Sequence, residues 1–126
     1  MPRRCTTSIA RATSAISLWP VPISEIEVTA LAERVAAGAL VIDVREPDEY
    51  RAGHVPGAQL IPLATVSDEL TRFNSDGPTY VICKSGGRSM RACEIAADEG
   101  YDVVNVTGGT GAWIDSGRDV VTGDTP

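Results

Sequence analysis

The sequence contains few of the side chains that bind metals. Its 126 residues include one histidine, His54, and three cysteines, Cys5, Cys83 and Cys93. A single histidine and no Cys-x-x-Cys pair leave a zinc site almost without ligands, so we expect neither a metal nor another cofactor. An odd number of cysteines, in a chain large enough to bury a core, argues against a disulfide framework and favours a reducing, cytoplasmic setting.

Positive charge is also scarce. The chain has 11 Lys and Arg residues against 17 Asp and Glu, for a net charge of −6, and Lys84 is the single lysine. Because nucleic-acid binding depends on cations that neutralise phosphates, we expect no nucleic-acid partner. No apolar run approaches the roughly 20 residues of a membrane-spanning helix, so we expect no membrane partner either. The hydrophobic content of 43% is typical of a soluble globular domain.

Acidic residues are missing from the N-terminal segment, residues 1–22. This segment contains Arg3, Arg4 and Arg11 together with many serines and threonines, and the first acid is Glu25. Two interpretations stay open: a targeting peptide, or a disordered tail that includes an upstream start site. Composition favours the tail. The sequence therefore predicts one domain over residues 23–126.

After this segment, strand-like runs alternate with helical ones. Apolar, β-branched runs predict strands over residues 40–44, 59–61, 79–82 and 102–106. Helices are predicted over residues 29–37, 46–51, 66–73 and 89–99, with Thr29 capping the first, and a last short helix contains Trp113. This order predicts an α/β domain with a mainly parallel central sheet of about five strands and helices on both faces.

The most informative segment joins a strand to a helix through a glycine-containing loop. It reads Val81-Ile82-Cys83-Lys84-Ser85-Gly86-Gly87-Arg88-Ser89. Open α/β sheets bind ligands beyond the carboxyl ends of their strands, and the unpaired amides at a helix start favour an anion. Gly86 and Gly87 permit backbone conformations in which successive N–H groups point at one centre.

This loop favours a thiolate on its cysteine. The amides, with the cations of Lys84 and Arg88, should stabilise the charged form and lower the pKa of the Cys83 thiol. A buried structural cysteine is the alternative, but two glycines, two cations and a helix start within six residues favour the functional interpretation. Cys83 is the predicted catalytic residue, and the predicted substrate-binding loop is Lys84, Ser85, Gly86, Gly87, Arg88 and Ser89.

Other candidate residues have structural interpretations. Asp43 and Arg45, at the end of a strand, either orient the loop or form a structural ion pair and helix cap, and we favour the second role. His54 is predicted to be a hydrogen-bonded fixture rather than a general base. Cys93 is predicted to be a buried small hydrophobe rather than a resolving thiol, and Trp113 to fill core space.

Three separate stretches resemble the rhodanese homology domain, and together they cover about residues 23–121. The first is Val41-Ile42-Asp43-Val44-Arg45 with Glu49-Tyr50 and Gly53-His54-Val55-Pro56-Gly57-Ala58. The second is the loop from Cys83 to Ser89, and the third is Gly108-Gly109 with Ala112-Trp113 and Gly117. All three occur in the family's order and at its normal spacing.

The resemblance implies a sulfurtransferase. Cys83 would take a sulfane sulfur from a small anionic donor such as thiosulfate, or from a persulfide, and hold it as a persulfide. The sulfur would then pass to cyanide or to a thiol, including a protein thiol. The loop amides would stabilise the anionic persulfide, and Lys84 and Arg88 would help to hold the donor.

Two alternatives remain beside this one. Rhodanese-like sulfur carriers or binding modules share the fold without the enzymatic activity, although inactive modules typically lack the cysteine. Cysteine phosphatases and arsenate reductases of related fold form the other class. The phosphatases place five residues between Cys and Arg, whereas four residues separate Cys83 from Arg88. The shorter loop fits a sulfur atom better than a phosphoryl group.

Overall fold

The structure is a computed structural model, and it describes residues 22–126. Cys5 and the predicted tail, apart from Pro22, lie outside the described residues. Within the described part, no helix is long and apolar enough to cross a membrane.

One parallel sheet forms the centre of the domain. Its five strands pair in the order β1-β5-β4-β2-β3, and every pairing is parallel. The strands are β1 (Ser24–Ile26), β2 (Val41–Asp43), β3 (Gln59–Leu60), β4 (Thr79–Ile82) and β5 (Val103–Val106). The predicted α/β class and parallel sheet are confirmed.

Helices connect these strands. They are α1 (Val28–Ala36), α2 (Pro47–Ala52), α3 (Gly87–Asp98) and α4 (Gly109–Asp115), with two 3₁₀-helices over Leu63–Asp68 and Leu70–Phe73. Successive side chains of a strand point to opposite faces of a sheet, so the strands feed two cores. One core contains buried residues of α1, α2 and α4, and the other those of α3 and the 3₁₀-helices. Cys83, directly after β4, belongs to the α3 side.

Two predicted helices differ from the structure. Thr29 does not cap α1, because the helix begins at Val28 after an extended Glu27 (φ −93°, ψ 167°). Val28 and Leu31 are both buried and share one helix face, so their packing extends the first turn to Val28.

The other difference concerns the single helix predicted over residues 66–73. It is two 3₁₀-helices that meet at Glu69, whose φ of −124° departs from helical geometry. Val66 and Phe73 are the residues that these segments bury. The β-branched pair Thr65 and Val66 disfavours a regular α-helix here.

Candidate active site

The loop after β4 turns sharply into α3. Gly86 precedes the helix with a φ of +115°, a conformation that side chains rarely adopt. The helix begins at Gly87, two residues before the predicted start at Ser89. Arg88 and Ser89 therefore lie in the first turn of α3, where the Ser89 side chain can reach back to Cys83.

Two donors of the described residues lie within hydrogen-bonding distance of the Cys83 sulfur. The Gly86 amide donates to Sγ at 3.1 Å, and Ser89 Oγ lies 3.3 Å from Sγ as a donor. Burial raises the pKa of the Cys83 thiol, but the Ser89 hydroxyl and the nearby amides of Ser89, Gly86 and Ser85 together lower it below its ordinary value of 9.0. Hydrogen-bond donors are therefore the main cause of the lowered pKa.

Cys83 is buried as a residue, with 1% of its surface exposed. Its neighbours Lys84, Ser85 and Gly87 are exposed. The thiol thus lies at the base of an exposed loop rather than on it. A small molecule that reacts with Sγ would have to approach it between these loop residues.

Helix α4 fixes the backbone of the loop from behind. Thr110 N donates to Cys83 O at 2.8 Å, and Gly111 N donates to Lys84 O at 2.9 Å. In a trans peptide the N–H points away from the C=O of the same unit. The amides of Lys84 and Ser85 therefore face away from α4.

Gly109 makes this close contact possible. Its φ is +59°, and a Cβ there would collide with the carbonyl oxygen of Cys83 and lie 2.6 Å from the Lys84 carbonyl carbon. The glycine that the family resemblance identified is therefore the residue that lets α4 approach the loop.

Asn105 links the loop to the sheet. This side chain on β5 is 1% exposed, and its Nδ2 donates to Glu25 Oε2 at 2.9 Å and to Gly86 O at 3.2 Å. Its Oδ1 accepts a hydrogen bond from Ser89 Oγ. Neither Asn105 nor Glu25 is among the site residues predicted from the sequence. The available signal was a polar residue within an otherwise all-valine buried strand.

Arg88 forms a two-pronged ion pair with Glu49 of α2. Its two terminal nitrogens donate to the carboxylate at 2.8 and 3.0 Å. Glu49 also accepts the Glu46 amide, which completes a capping box at the start of α2. Glu49 therefore partly neutralises the positive charge of Arg88. The Lys84 residue, in the loop itself, is exposed.

The Arg88–Glu49 pair should make stability depend on pH. Hydrogen bonds from Arg88 and from the Glu46 amide lower the pKa of Glu49 from 4.5 to about 2. A lowered pKa stabilises the fold fully above the unfolded value, and the contribution is lost as the pH falls from 4.5 towards 2. After allowance for solvent exposure of the pair, Glu49→Gln should cost about 1 kcal/mol of unfolding free energy at neutral pH.

Urea unfolding at several pH values measures this difference. We expect it to shrink below pH 4.5, and a cost that stays constant down to pH 2 would contradict the assignment. Glu94→Gln is the control, because its pair with Arg91 is longer, at 3.6 Å, and more exposed. Its cost should be a few tenths of a kcal/mol at most.

Asp43 and Arg45 form a buried ion pair at the end of β2. The guanidinium donates to both carboxylate oxygens, at 2.8 to 3.1 Å, and to the carbonyl oxygen of Gly53 at 2.8 Å. The predicted ion pair is present. The predicted helix cap is wrong for these two residues, because Glu46 and Glu49 cap α2 instead.

His54 is held inside the structure. Its Nδ1 lies 2.7 Å from Tyr50 O and its Nε2 lies 2.7 Å from Thr125 O. The ring is fully buried and stacks on the Tyr50 ring with 3.6 Å between centroids. The predicted fixture is confirmed, since both ring nitrogens face backbone oxygens.

Cys93 and Trp113 are also core residues, as predicted. Cys93 is fully buried, and burial raises the pKa of its thiol to about 12. A thiol with so high a pKa is a poor nucleophile, so Cys93 is not suited to react with Cys83. Trp113 is 5% exposed, and its indole N–H donates to Asp119 O at 2.8 Å.

Comparison with known proteins supports the resemblance noted in the sequence. A model of the rhodanese-like domain family matches residues 27–116. The chain belongs to the rhodanese-like family. The matched region includes the Cys83 loop, Asn105 and the glycines at the start of α4.

Individual relatives agree with the family assignment. The rhodanese-like domain is 36% identical over 85 residues to thiosulfate sulfurtransferase GlpE of Pseudomonas putida, covering 67% of this chain and 77% of the relative. It is 31% identical over 102 residues to a sulfurtransferase of Allochromatium vinosum, covering 79% of this chain and 95% of the relative. The crystal structure of a rhodanese-related protein from Thermoplasma volcanium superposes with a TM-score of 0.74 at 33% identity, covering 79% of this chain and 99% of that one.

Proposed function

We propose that this rhodanese-like domain is a sulfurtransferase in which Cys83 carries the sulfane sulfur as a persulfide. The observation that carries the proposal is the pair of hydrogen bonds from Gly86 N and Ser89 Oγ to Sγ. They favour the thiolate, which is the nucleophilic form of a cysteine. Relatives named as sulfurtransferases support the same chemistry.

The reaction has two balanced steps. With thiosulfate as donor, the Cys83 thiolate attacks the outer sulfur, an S–S bond to Sγ forms, and the S–S bond of thiosulfate breaks as sulfite leaves with the electron pair. The persulfide that remains carries one negative charge. Cyanide or a thiolate then attacks its outer sulfur and releases the Cys83 thiolate.

Several groups would serve these steps. The loop amides and the first turn of α3 would stabilise the negative charge of the persulfide. Lys84, and the part of the Arg88 charge that Glu49 leaves available, would attract an anionic donor. Thiosulfate and low-molecular-weight persulfides are the proposed donors, and cyanide or a thiol, including a protein thiol, is the proposed acceptor. A reducing cytoplasm is the proposed setting.

Intact-mass spectrometry tests the persulfide. After incubation with thiosulfate, we expect the mass of one added sulfur atom on the wild type and none on Cys83→Ser. Thiocyanate formation from thiosulfate and cyanide should fall more than about a thousandfold in Cys83→Ser. Cys93→Ser is the matched control and should keep most of the activity, because that thiol is buried and has a raised pKa.

The same measurements separate the alternatives. A sulfur carrier would gain the sulfur atom without catalysing thiocyanate formation. A phosphatase would release phosphate from an aryl phosphate, and the four-residue spacing leads us to expect no such release. Wild-type protein that gains no sulfur from thiosulfate or from a persulfide donor would refute the proposed function.

A further inference from the structure

Asn105 has one possible orientation of its side-chain amide. The Nδ2 group faces two oxygens that can only accept, Glu25 Oε2 at 2.9 Å and Gly86 O at 3.2 Å. Its Oδ1 therefore faces Ser89. Because an amide oxygen can only accept, Ser89 must be the donor in that hydrogen bond.

Ser89 has one hydroxyl hydrogen and two acceptors within reach. Asn105 Oδ1 is one acceptor, and Cys83 Sγ, 3.3 Å from Ser89 Oγ, is the other. A hydroxyl donates to one acceptor at a time. A neutral sulfur accepts weakly, whereas a thiolate forms a charge-assisted hydrogen bond of about twice the ordinary strength.

We propose that the Ser89 hydroxyl hydrogen occupies two positions during the reaction, and that Asn105 is the positioning residue that provides one of them. While Sγ is neutral, as a thiol or as the inner sulfur of the persulfide, the Ser89 hydroxyl donates its hydrogen bond to Asn105 Oδ1. When Sγ is a thiolate, the hydrogen turns to Sγ. Glu25 holds the Asn105 amide in the orientation that this exchange requires.

The exchange also affects the reactivity of Cys83 in the proposed sulfurtransferase reaction. The part of the exchange that involves the persulfide rests on that proposed function. Ionisation of Cys83 requires Ser89 to leave Asn105, so Asn105 keeps the thiolate from being stabilised too strongly. A less stabilised thiolate is a better nucleophile. When the outer sulfur of the persulfide takes the charge, Ser89 returns to Asn105 and the loop amides are left to bind that sulfur.

Other charged groups also surround Cys83 and must be considered. Lys84 belongs to the loop itself, Arg88 of α3 interacts with the Cys83 charge, and Glu49 of α2 pairs with Arg88. Asp43 of β2 interacts with Arg88, and Glu25 of β1 reaches the site through Asn105. None of these residues is substituted in the variants below, and the double variant separates an effect of Asn105 on Glu25 from its effect through Ser89.

The test is the pH dependence of Cys83 alkylation by iodoacetamide, followed by peptide mass spectrometry so that each cysteine is read separately. Asn105→Ala removes the competing acceptor, and we expect the midpoint to move to lower pH by about half a pH unit. Asn105→Asp strengthens the acceptor and adds a like charge, so its midpoint should move to higher pH. Ser89→Ala removes the donor and should also raise the midpoint.

The double variant decides whether Asn105 acts through Ser89. In a Ser89→Ala background, Asn105→Ala should no longer lower the midpoint, because the hydrogen that both acceptors share is gone. A midpoint that is unchanged or raised in Asn105→Ala alone would overturn the proposal. So would a downward shift of the same size in both backgrounds.

Thr79→Val is the matched control for loss of a buried polar group. Thr79 is fully buried on β4, and its hydroxyl bonds to Phe73 O, away from the loop. We expect it to reduce stability without moving the alkylation midpoint. Because alkylation needs no sulfur donor, this test can fail while the sulfurtransferase assay succeeds, and the reverse also holds.

Discussion

Replacing Gly109 with alanine is expected to lower the free energy of unfolding by about 3 kcal/mol and to slow the reaction of Cys83 at least about tenfold. Two costs combine. The φ of +59° strains any side chain, and the new Cβ would collide with the carbonyl groups of Cys83 and Lys84. Helix α4 would have to move back, and the loop carbonyls would lose the hydrogen bonds from Thr110 N and Gly111 N.

Gly117→Ala is the matched control for this experiment. Gly117 also has a positive φ, +82°, but a Cβ there would meet nothing within 4 Å. It should cost about 1 kcal/mol through backbone strain alone and leave the alkylation rate unchanged. Urea unfolding and Cys83 alkylation kinetics give both quantities. Equal effects of the two substitutions would show that the contact between α4 and the loop is unimportant.

Asp43→Asn is expected to lower the free energy of unfolding by about 3 to 5 kcal/mol. Asp43 is fully buried and Arg45 is 5% exposed, so removing the carboxylate charge leaves a buried guanidinium without its counter-ion. Asp124→Asn is the control, because the Arg51–Asp124 pair is exposed and 3.3 Å long. That substitution should cost less than about 0.5 kcal/mol.

A double variant tests whether the loss of stability in Asp43→Asn comes from leaving the buried Arg45 charge without a counter-ion. Asp43→Leu with Arg45→Met replaces both charges by apolar side chains, and it should be less destabilised than Asp43→Asn. Urea unfolding of the wild type and the three variants gives this comparison. If Asp43→Asn lost no more than the exposed control, the buried pair would not contribute to stability.

Short-range patterns accounted for most of the fold. The β-branched run that ends in Val81 and Ile82 predicted β4 at its observed bounds, since such runs are typical of strands buried on both faces. The same patterns failed between residues 63 and 73, where the chain forms two 3₁₀-helices that bury only Val66 and Phe73. The start of α3 was placed two residues late because Gly86 and Gly87 resembled loop residues.

The site was predictable only where its residues are adjacent in sequence. Cys83 and its loop form one continuous segment with a recognisable chemistry. Asn105, in contrast, lies on β5 and reaches Ser89 of α3 because β5 pairs with β4, the strand that leads into α3. Its other partner, Glu25, is 80 residues away in the sequence. The Arg88–Glu49 pair spans 39 residues. No local pattern predicts such contacts, since they depend on how strands and helices align in space.

The same long separations bear on when the cysteine becomes reactive as the polypeptide is made. A nascent chain that has emerged only as far as α3 already contains Cys83, Gly86 and Ser89, but it lacks the α4 amides that hold the loop backbone. Without those amides the loop backbone is not held in place, so we expect the thiol to behave like that of an unfolded cysteine. The activated thiolate would therefore arise late, once α4 has docked on the loop, and a product released earlier would carry a cysteine of ordinary reactivity.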